Sequence, residues 1–207
     1  MYDICVIGAG PAGISSAVYA ASRGLKTIVL EQKKVGGLLG SVSTVTHYAG
    51  ILADETGESF SLRLKEQAER AGIEIAMEKV VEADFSGEVK RIVTEGTTYE
   101  AKAVIIAAGT TPRKLGIPGE DTFAGRGTGL NPAKDAKKYE GREAFVVGGA
   151  DGAVKEALFL SKFASKVTII HFEDTLGAIP EFTEKVKRTA NMLSLIHISE
   201  PTRPEPI

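Results

Sequence analysis

The residues best suited to chemistry stand near the N-terminus, where Gly8-Ala9-Gly10-Pro11-Ala12-Gly13 follows the apolar run Tyr2-Asp3-Ile4-Cys5-Val6-Ile7. Glycines at this spacing suit a diphosphate. Gly8 permits a tight turn, Gly10 lets the backbone approach a pyrophosphate with no Cβ in the way, and Gly13 lets a helix pack closely on the strand. The first turn of that helix supplies N–H donors and the positive end of its dipole. Glu31 lies 18 residues beyond Gly13, placed to accept a hydrogen bond from a ribose hydroxyl.

Such a cradle must be held by a strand, a helix and a second strand, and the sequence supplies them in order. Residues 14–22 are Ala-rich and read as a helix with Gly24 at its end; residues 26–30 read as a buried strand ending at Glu31. Together they make a complete βαβ unit. Val35-Gly36-Gly37-Leu38 reads as a flexible loop beside a ligand. Residues 58–71 read as a helix stopping at Gly72, and residues 73–76 and 80–85 as strands. Residues 91–94 and 98–101 flank Glu95-Gly96-Thr97 as a hairpin. Residues 103–110 read as a buried strand ending in small residues, where a cofactor can lie against the backbone.

A second βαβ unit begins at residues 144–147 and enters Gly148-Gly149-Ala150-Asp151-Gly152-Ala153; a helix over 154–164 and a strand over 166–171 complete it. Ala150 takes the place of the second glycine and projects a methyl group toward any pyrophosphate. Two readings stay open for this unit, a second dinucleotide site or a fold retained after its ligand was lost.

Composition narrows the classes. Lys and Arg total 25 and Asp and Glu 27, a net charge of −2 that gives no electrostatic reason to expect nucleic acid or an anionic membrane as partner. No apolar run approaches the ~20 residues of a membrane span, and a soluble, cytoplasmic protein is expected. The single cysteine, Cys5, excludes an internal disulfide, a dithiol pair and a Cys-based zinc site within these 207 residues. No Ser-His-Asp, HExxH or paired-carboxylate signature appears, so no metal or hydrolytic site is expected. From 193 to 203 the chain reads LSLIHISEPTR, followed by Pro204-Glu205-Pro206-Ile207, which resembles the translation of a transposase adapter used in sequencing libraries. Residues 193–207 are therefore expected to be a non-native tail in which His197 has no functional meaning, with the natural protein continuing beyond.

Several segments resemble the low-molecular-weight thioredoxin reductases within the pyridine nucleotide-disulfide oxidoreductase superfamily. They are GAGPAG at 8–13, Gly36-Gly37, Val45-Thr46-His47-Tyr48-Ala49-Gly50, AVIIAAGTTPRKLGIPGE at 103–120 and GGADGAVKEALFLSKFASKVTIIH at 148–171. The resemblance implies an α/β fold with two Rossmann-like, three-layer dinucleotide-binding domains, an FAD domain interrupted by an NAD(P)-type domain that is incomplete here. By that map residues 1–112 are the first FAD segment and residues 113–192 part of the inserted domain. FAD contacts are expected at Gly8, Gly10, Pro11, Ala12, Gly13, Glu31, Gly36, Gly37, Val80, Ala108 and Gly109. Pyridine-nucleotide contacts are expected at Gly148, Gly149, Asp151, Gly152, Ala153 and Glu173. His47 falls in the segment that in relatives runs near the flavin.

Two departures from the family shape the expected function. Where relatives with disulfide chemistry carry Cys-x-x-Cys-Asp, this chain has Asn131-Pro132-Ala133-Lys134-Asp135, so Asn131 and Lys134 replace both thiols and Asp135 alone is retained. No catalytic residue is assigned, Asp135 being the one weak candidate. Where NADPH users carry His-Arg-Arg, this chain reads His171-Phe172-Glu173-Asp174, whose carboxylates repel a 2′-phosphate and favour NADH. The implied function is an FAD-dependent oxidoreductase moving electrons between NAD(P)H or a carrier protein and an acceptor, without an internal redox disulfide. Alternatives are a ferredoxin-linked reductase with a decayed nucleotide site and a non-catalytic FAD-binding sensor. Expected partners are a small molecule or a carrier protein, ferredoxin or a thioredoxin-like one, and a second copy in a homodimer.

Overall fold

The computed structural model describes residues 1–129 and 132–196. The chain divides into two compact units, Met1–Glu120 and Asp121–Ile207. The division falls after residue 120 rather than 112. The Glu120 carboxylate folds back to accept the backbone N–H groups of Leu115 (3.0 Å) and Gly116 (2.8 Å), which ties 115–120 into one turn.

The first unit runs β1 (Tyr2–Ile7), α1 (Pro11–Ser22), β2 (Thr27–Leu30), α2 (Gly57–Arg70), β3 (Glu74–Ala76), β4 (Val80–Asp84), β5 (Lys90–Thr94) and β6 (Thr98–Ile106). Its six-stranded sheet has the order β3-β2-β1-β6-β5-β4, in which β3, β2, β1 and β6 are parallel and β5 and β4 form an antiparallel arm. Alternate residues of a strand point to opposite faces, and both faces are used. Val6 and Val29 pack with Ile14, Ala17, Phe60 and Leu64 of the helices, while Cys5, Ile28 and Leu30 pack with Ala101 of β6 and Ile92 of the arm. Three layers result, as a buried parallel sheet requires.

The runs expected at 98–101 and 103–110 are one strand. β6 is continuous and stops at Ile106, because β1, its partner, ends at Ile7 and the last ladder bond is Ala107 N to Ile7 O (2.8 Å). Nor is its second half buried, since Ala103 and Ile106 are exposed. Residues 35–38 are no loose loop, because Gly37–Ser41 forms a 3₁₀ turn and Gly36 is buried.

The second unit runs α3 (Pro132–Asp135), a 3₁₀ turn (Ala136–Tyr139), β7 (Glu143–Val147), α4 (Asp151–Leu160), β8 (Lys166–His171), α5 (Pro180–Arg188) and β9 (Met192–Ile196). Its sheet is parallel, in the order β7-β8-β9. α4 starts three residues before the helix expected at 154–164, because extended Ala150 (φ −85°, ψ 172°) caps it and accepts from Val154 N (3.0 Å). One face of the sheet packs Val167 and Ile169 against Val154, Leu160, Phe182 and Val186. On the other face Phe145 and Val147 are 62% and 52% exposed. β9 takes in 193–196, residues set apart from the fold in the sequence reading; their backbone pairs in register with β8. No helix among the described residues is long and apolar enough to cross a membrane.

Candidate functional site

The first unit gathers its glycine-rich turns at the C-terminal ends of the neighbouring parallel strands β1 and β6, the end of an open α/β sheet at which ligands bind. Gly8 has φ +106°, and a Cβ there would stand 2.3 Å from Ala107 O. A Cβ on Gly13 would stand 1.9 Å from Gly8 O. Both positions are closed to any side chain. Gly10 between them is open, with nothing within 4 Å of where its Cβ would be. Pro11 opens α1, where no backbone donor is needed, and Ala12 is exposed beside it. The first-turn N–H groups therefore face the open side of Gly10 at the positive end of a twelve-residue helix.

Two further turns close on this loop. Gly36, left-handed at φ +99°, donates its N–H to Ala9 O (2.8 Å), and a Cβ on Gly37 would lie 3.6 Å from Gly10 Cα. Ser61, which the sequence reading passed over, explains the first of these glycines: its Oγ would be 2.0 Å from a Cβ on Gly36. Ala108 lies beside Gly8, and Gly109 follows at φ +67°, both exposed. Glu31 is buried, its Oε2 accepting Ala9 N (2.8 Å) and its Oε1 accepting Lys33 N (2.8 Å). The carboxylate thus braces the cradle itself, and each oxygen keeps a second lone pair for a hydroxyl. Val80 stands apart. It packs half-buried against the cluster of Cys5, Leu30 and Ile92 on the face away from α1.

The second unit repeats this plan at a constant offset of 140 residues, pairing Gly8 with Gly148, Gly10 with Ala150, Gly13 with Ala153 and Glu31 with His171. Gly148 N donates to Ile170 O (2.8 Å) as Gly8 N does to Leu30 O (2.8 Å). The ligand side differs. Ala150 carries a methyl at the place left open by Gly10. Asp151 sits exposed at the start of α4, where its Oδ1 accepts Ile179 N (2.7 Å) and its charge competes with a phosphate for the helix end. Gly148 has φ +124°, and a Cβ there would lie 3.0 Å from that of Ala153; Gly152 is open. Glu173 is exposed, and a Cβ on Gly177 would lie 2.8 Å from its Oε2 and 4.0 Å from Gly149 O, so the chain after β8 lies close to this loop. His171 is buried beneath Gly149. Its Nε2 is 2.8 Å from Ser194 Oγ, and its Nδ1 has no hydrogen-bond partner among the described residues.

The profile of the pyridine nucleotide-disulphide oxidoreductases matches residues 2–194. The chain belongs to this family. It is 44% identical over 185 residues to a thioredoxin reductase of Peptoclostridium acidaminophilum, an alignment covering 89% of this chain and 59% of that protein. It superposes with a TM-score of 0.90 at 34% identity on the thioredoxin reductase of Lactococcus lactis, covering 95% of this chain and 64% of that one. A ferredoxin-flavin thioredoxin reductase from Clostridium acetobutylicum superposes with a TM-score of 0.50 at 32% identity, covering 94% of this chain and 64% of that one. The chain thus spans about three-fifths of the length of the relatives it matches.

Other residues singled out in the sequence fall as follows in this family member. Asn131 lies outside the described residues. Lys134 is exposed on α3, and Asp135 Oδ1 pairs with Lys138 Nζ (2.6 Å). That pairing makes Asp135 a local anchor of the turn and holds the Lys138 ammonium above its ordinary pKa. Cys5 is fully buried, and desolvation pushes its thiol up to about 11. It is a core residue, chemically quiet at neutral pH.

Proposed function

We propose that the first unit binds FAD through the Gly8–Gly13 loop, and that the protein to which this chain belongs is a flavin-dependent oxidoreductase of the thioredoxin reductase type. The reading rests on one observation: Gly10 faces open space while Gly8 and Gly13, either side of it, are sealed by backbone oxygens. Elsewhere in the fold a glycine without a neighbour is usually a surface turn; here it lies at the start of a helix whose donors face the same side. Glu31 offers its remaining lone pairs to a ribose hydroxyl, and the exposed backbone at Ala108 and Gly109 allows a flat group to lie close. When bound, FAD supplies the hydride and single-electron chemistry, and the protein supplies position and electrostatics.

Electrons enter from NADH or from a carrier protein and leave to an acceptor other than an internal disulfide, since Cys5 is the single cysteine of these residues. The crowding of the second loop by Ala150 and Asp151 favours a carrier protein, and ferredoxin is the carrier for which the Clostridium relative is named. If NAD(H) does bind there, Glu173 takes the ribose hydroxyl, and Gly148, Gly149, Gly152 and Ala153 line the loop. A cytoplasmic homodimer is the assembly proposed for the whole protein.

The test is FAD binding by the 207-residue chain, followed by quenching of flavin fluorescence, with Gly10→Val as the variant. The Cβ of a valine at Gly10 meets no protein atom within 4 Å, so the fold should survive with only the small cost of losing a glycine cap, a fall of no more than about 4 °C in the thermal transition, while FAD affinity falls at least roughly tenfold. Unchanged affinity would remove the cradle from the flavin site. Anaerobic addition of NADH, NADPH or reduced ferredoxin to the loaded protein then identifies the donor by which one bleaches the flavin.

A further inference from the structure

Between the 3₁₀ turn and α2 the first unit carries a loop that the cradle alone does not account for. It contains two non-glycine residues in the left-handed region, His47 and Asp54, each at φ 57°. Such backbone persists only where its surroundings hold it. The holding group is Glu55, 4% exposed although a carboxylate. Its Oε2 accepts Leu52 N (3.0 Å) and pairs with Arg63 Nη1, its Oε1 accepts Ser59 Oγ (3.3 Å), and its carbonyl accepts Val45 N (2.7 Å). Arg63 extends the tie outward. Its Nη2 donates to Gly50 O (3.3 Å), and its guanidinium lies 5.8 Å from the centre of the Phe60 ring. Phe60 in turn meets the edge of Tyr48, their ring centres 5.4 Å apart at 74°. The ion pair thus fastens the loop to α2 at Gly50 and Leu52, and the Glu55 carbonyl holds the chain that enters it at Val45.

The position of this loop gives the pair its consequence. Tyr48, Gly50 and Arg63 share the walls of a groove of about 650 Å³ with Pro11, the residue that follows Gly10, and with Ser15 and Val18 further along α1; the groove meets the cradle at Pro11 and runs away from its glycines between α1 and α2. We propose that Glu55 and Arg63 are positioning residues, a latch with a buried carboxylate that holds residues 47–54 beside Pro11, where the dinucleotide site begins. The latch touches neither diphosphate nor ribose; it acts through the loop. Breaking it frees the loop, and the site must then reorder it on binding, which lowers affinity without altering the cradle. The inference rests on the reading of residues 8–13 as an FAD cradle.

Arg63→Met removes the outer tie at a side chain that is 41% exposed, so the fold should survive. Glu55→Gln keeps the shape and removes the charge, and Arg63→Lys keeps the charge but cannot reach both acceptors at once. Two readouts are taken on each: chymotryptic cleavage after Tyr48 in the ligand-free protein, and FAD affinity by fluorescence. Arg63→Met is expected to raise the cleavage rate about tenfold and weaken FAD about fivefold, with Arg63→Lys between it and the parent. Saturating FAD should slow cleavage in the parent. Cleavage rates and affinities within twofold of the parent for both Arg63→Met and Glu55→Gln overturn the proposal. A parent chain that binds no FAD at all sinks the cradle reading, and the cleavage rates alone then decide whether the latch exists.

Discussion

The two βαβ units share a plan and differ at the atoms a ligand would meet. In the first, the sealed positions are glycine (Gly8, Gly13), the open position is glycine (Gly10), and a buried carboxylate, Glu31, braces the loop through Ala9 N. In the second, the matching open position is Ala150, the matching helix residue is Ala153, and the place of Glu31 is taken by a buried imidazole, His171, whose Nε2 bonds to Ser194 on the next strand rather than to the loop. Strand register and helix start coincide at the offset of 140 residues, and the bond closing the turn is 2.8 Å in both. The difference teaches that the backbone of a nucleotide-binding unit is set by packing, whereas its capacity for a ligand is set by a handful of side chains. The second unit has the same backbone with different side chains at the positions that would meet a ligand.

The largest effect that separates the units belongs to the third glycine. In Gly13→Val the new Cβ would lie 1.9 Å from Gly8 O, a backbone atom that cannot swing away. Destabilisation of roughly 3–5 kcal/mol is expected, measured by urea denaturation with circular dichroism. Ala153→Gly, the mirror change in the second unit, should cost only about 1 kcal/mol, the ordinary helix penalty for glycine. Equal effects of the two substitutions would mean that the two helices pack on their strands alike.

Next in size is the contrast between sheet faces. Cys5 and Phe145 occupy the same place in the two units, yet Cys5 is covered by the antiparallel arm and Phe145 is 62% exposed. With its thiol pushed up to about 11 from 9.0, Cys5 is ionised roughly one part in a thousand at pH 8, against roughly one in ten for an ordinary thiol. The sign follows directly: burial disfavours the thiolate, so reactivity appears only as pH rises toward 11. Maleimide should therefore label the Cys5→Ala,Phe145→Cys variant at least about a hundredfold faster than the parent chain. Comparable rates would show that the arm does not cover the first sheet.

Much of this was legible in the sequence because it is local. The strand at Tyr2–Ile7, the hairpin around Gly96 and both glycine-rich turns follow from short runs whose chemistry permits little else. What escaped depends on distant partners. Nothing near Gly36 says that it is glycine because Ser61 fills its side-chain space, nor that Glu31 spends two lone pairs on backbone before any ribose arrives. The continuity of β6 is hidden in the sequence because charged Lys102 separates the runs 98–101 and 103–110, although on an exposed stretch its Nζ meets Asp3 Oδ1 at 2.6 Å. α5 was missed for lack of apolar weight, as its buried residues are just Phe182 and Val186, which suffice because they meet α4 and the sheet.

The smallest effect is the most direct test of how far Ala150 and Asp151 limit a nucleotide in the second unit. Ala150 caps α4 in an extended conformation, and glycine is a better cap than alanine, so Ala150→Gly should leave stability unchanged or slightly raised. The substitution reopens the one position that Gly10 holds open in the first unit. Asp151 keeps its charge at the helix end, however, and its bond to Ile179 N keeps that carboxylate in place. A gain of no more than about fivefold in NADH affinity, near 1 kcal/mol, is therefore expected by titration calorimetry. A gain far beyond that would assign the loss to the methyl group alone. No gain, followed by a clear one in Ala150→Gly,Asp151→Asn, would assign it to the carboxylate, and would make electrostatics at the helix end the difference between the two units.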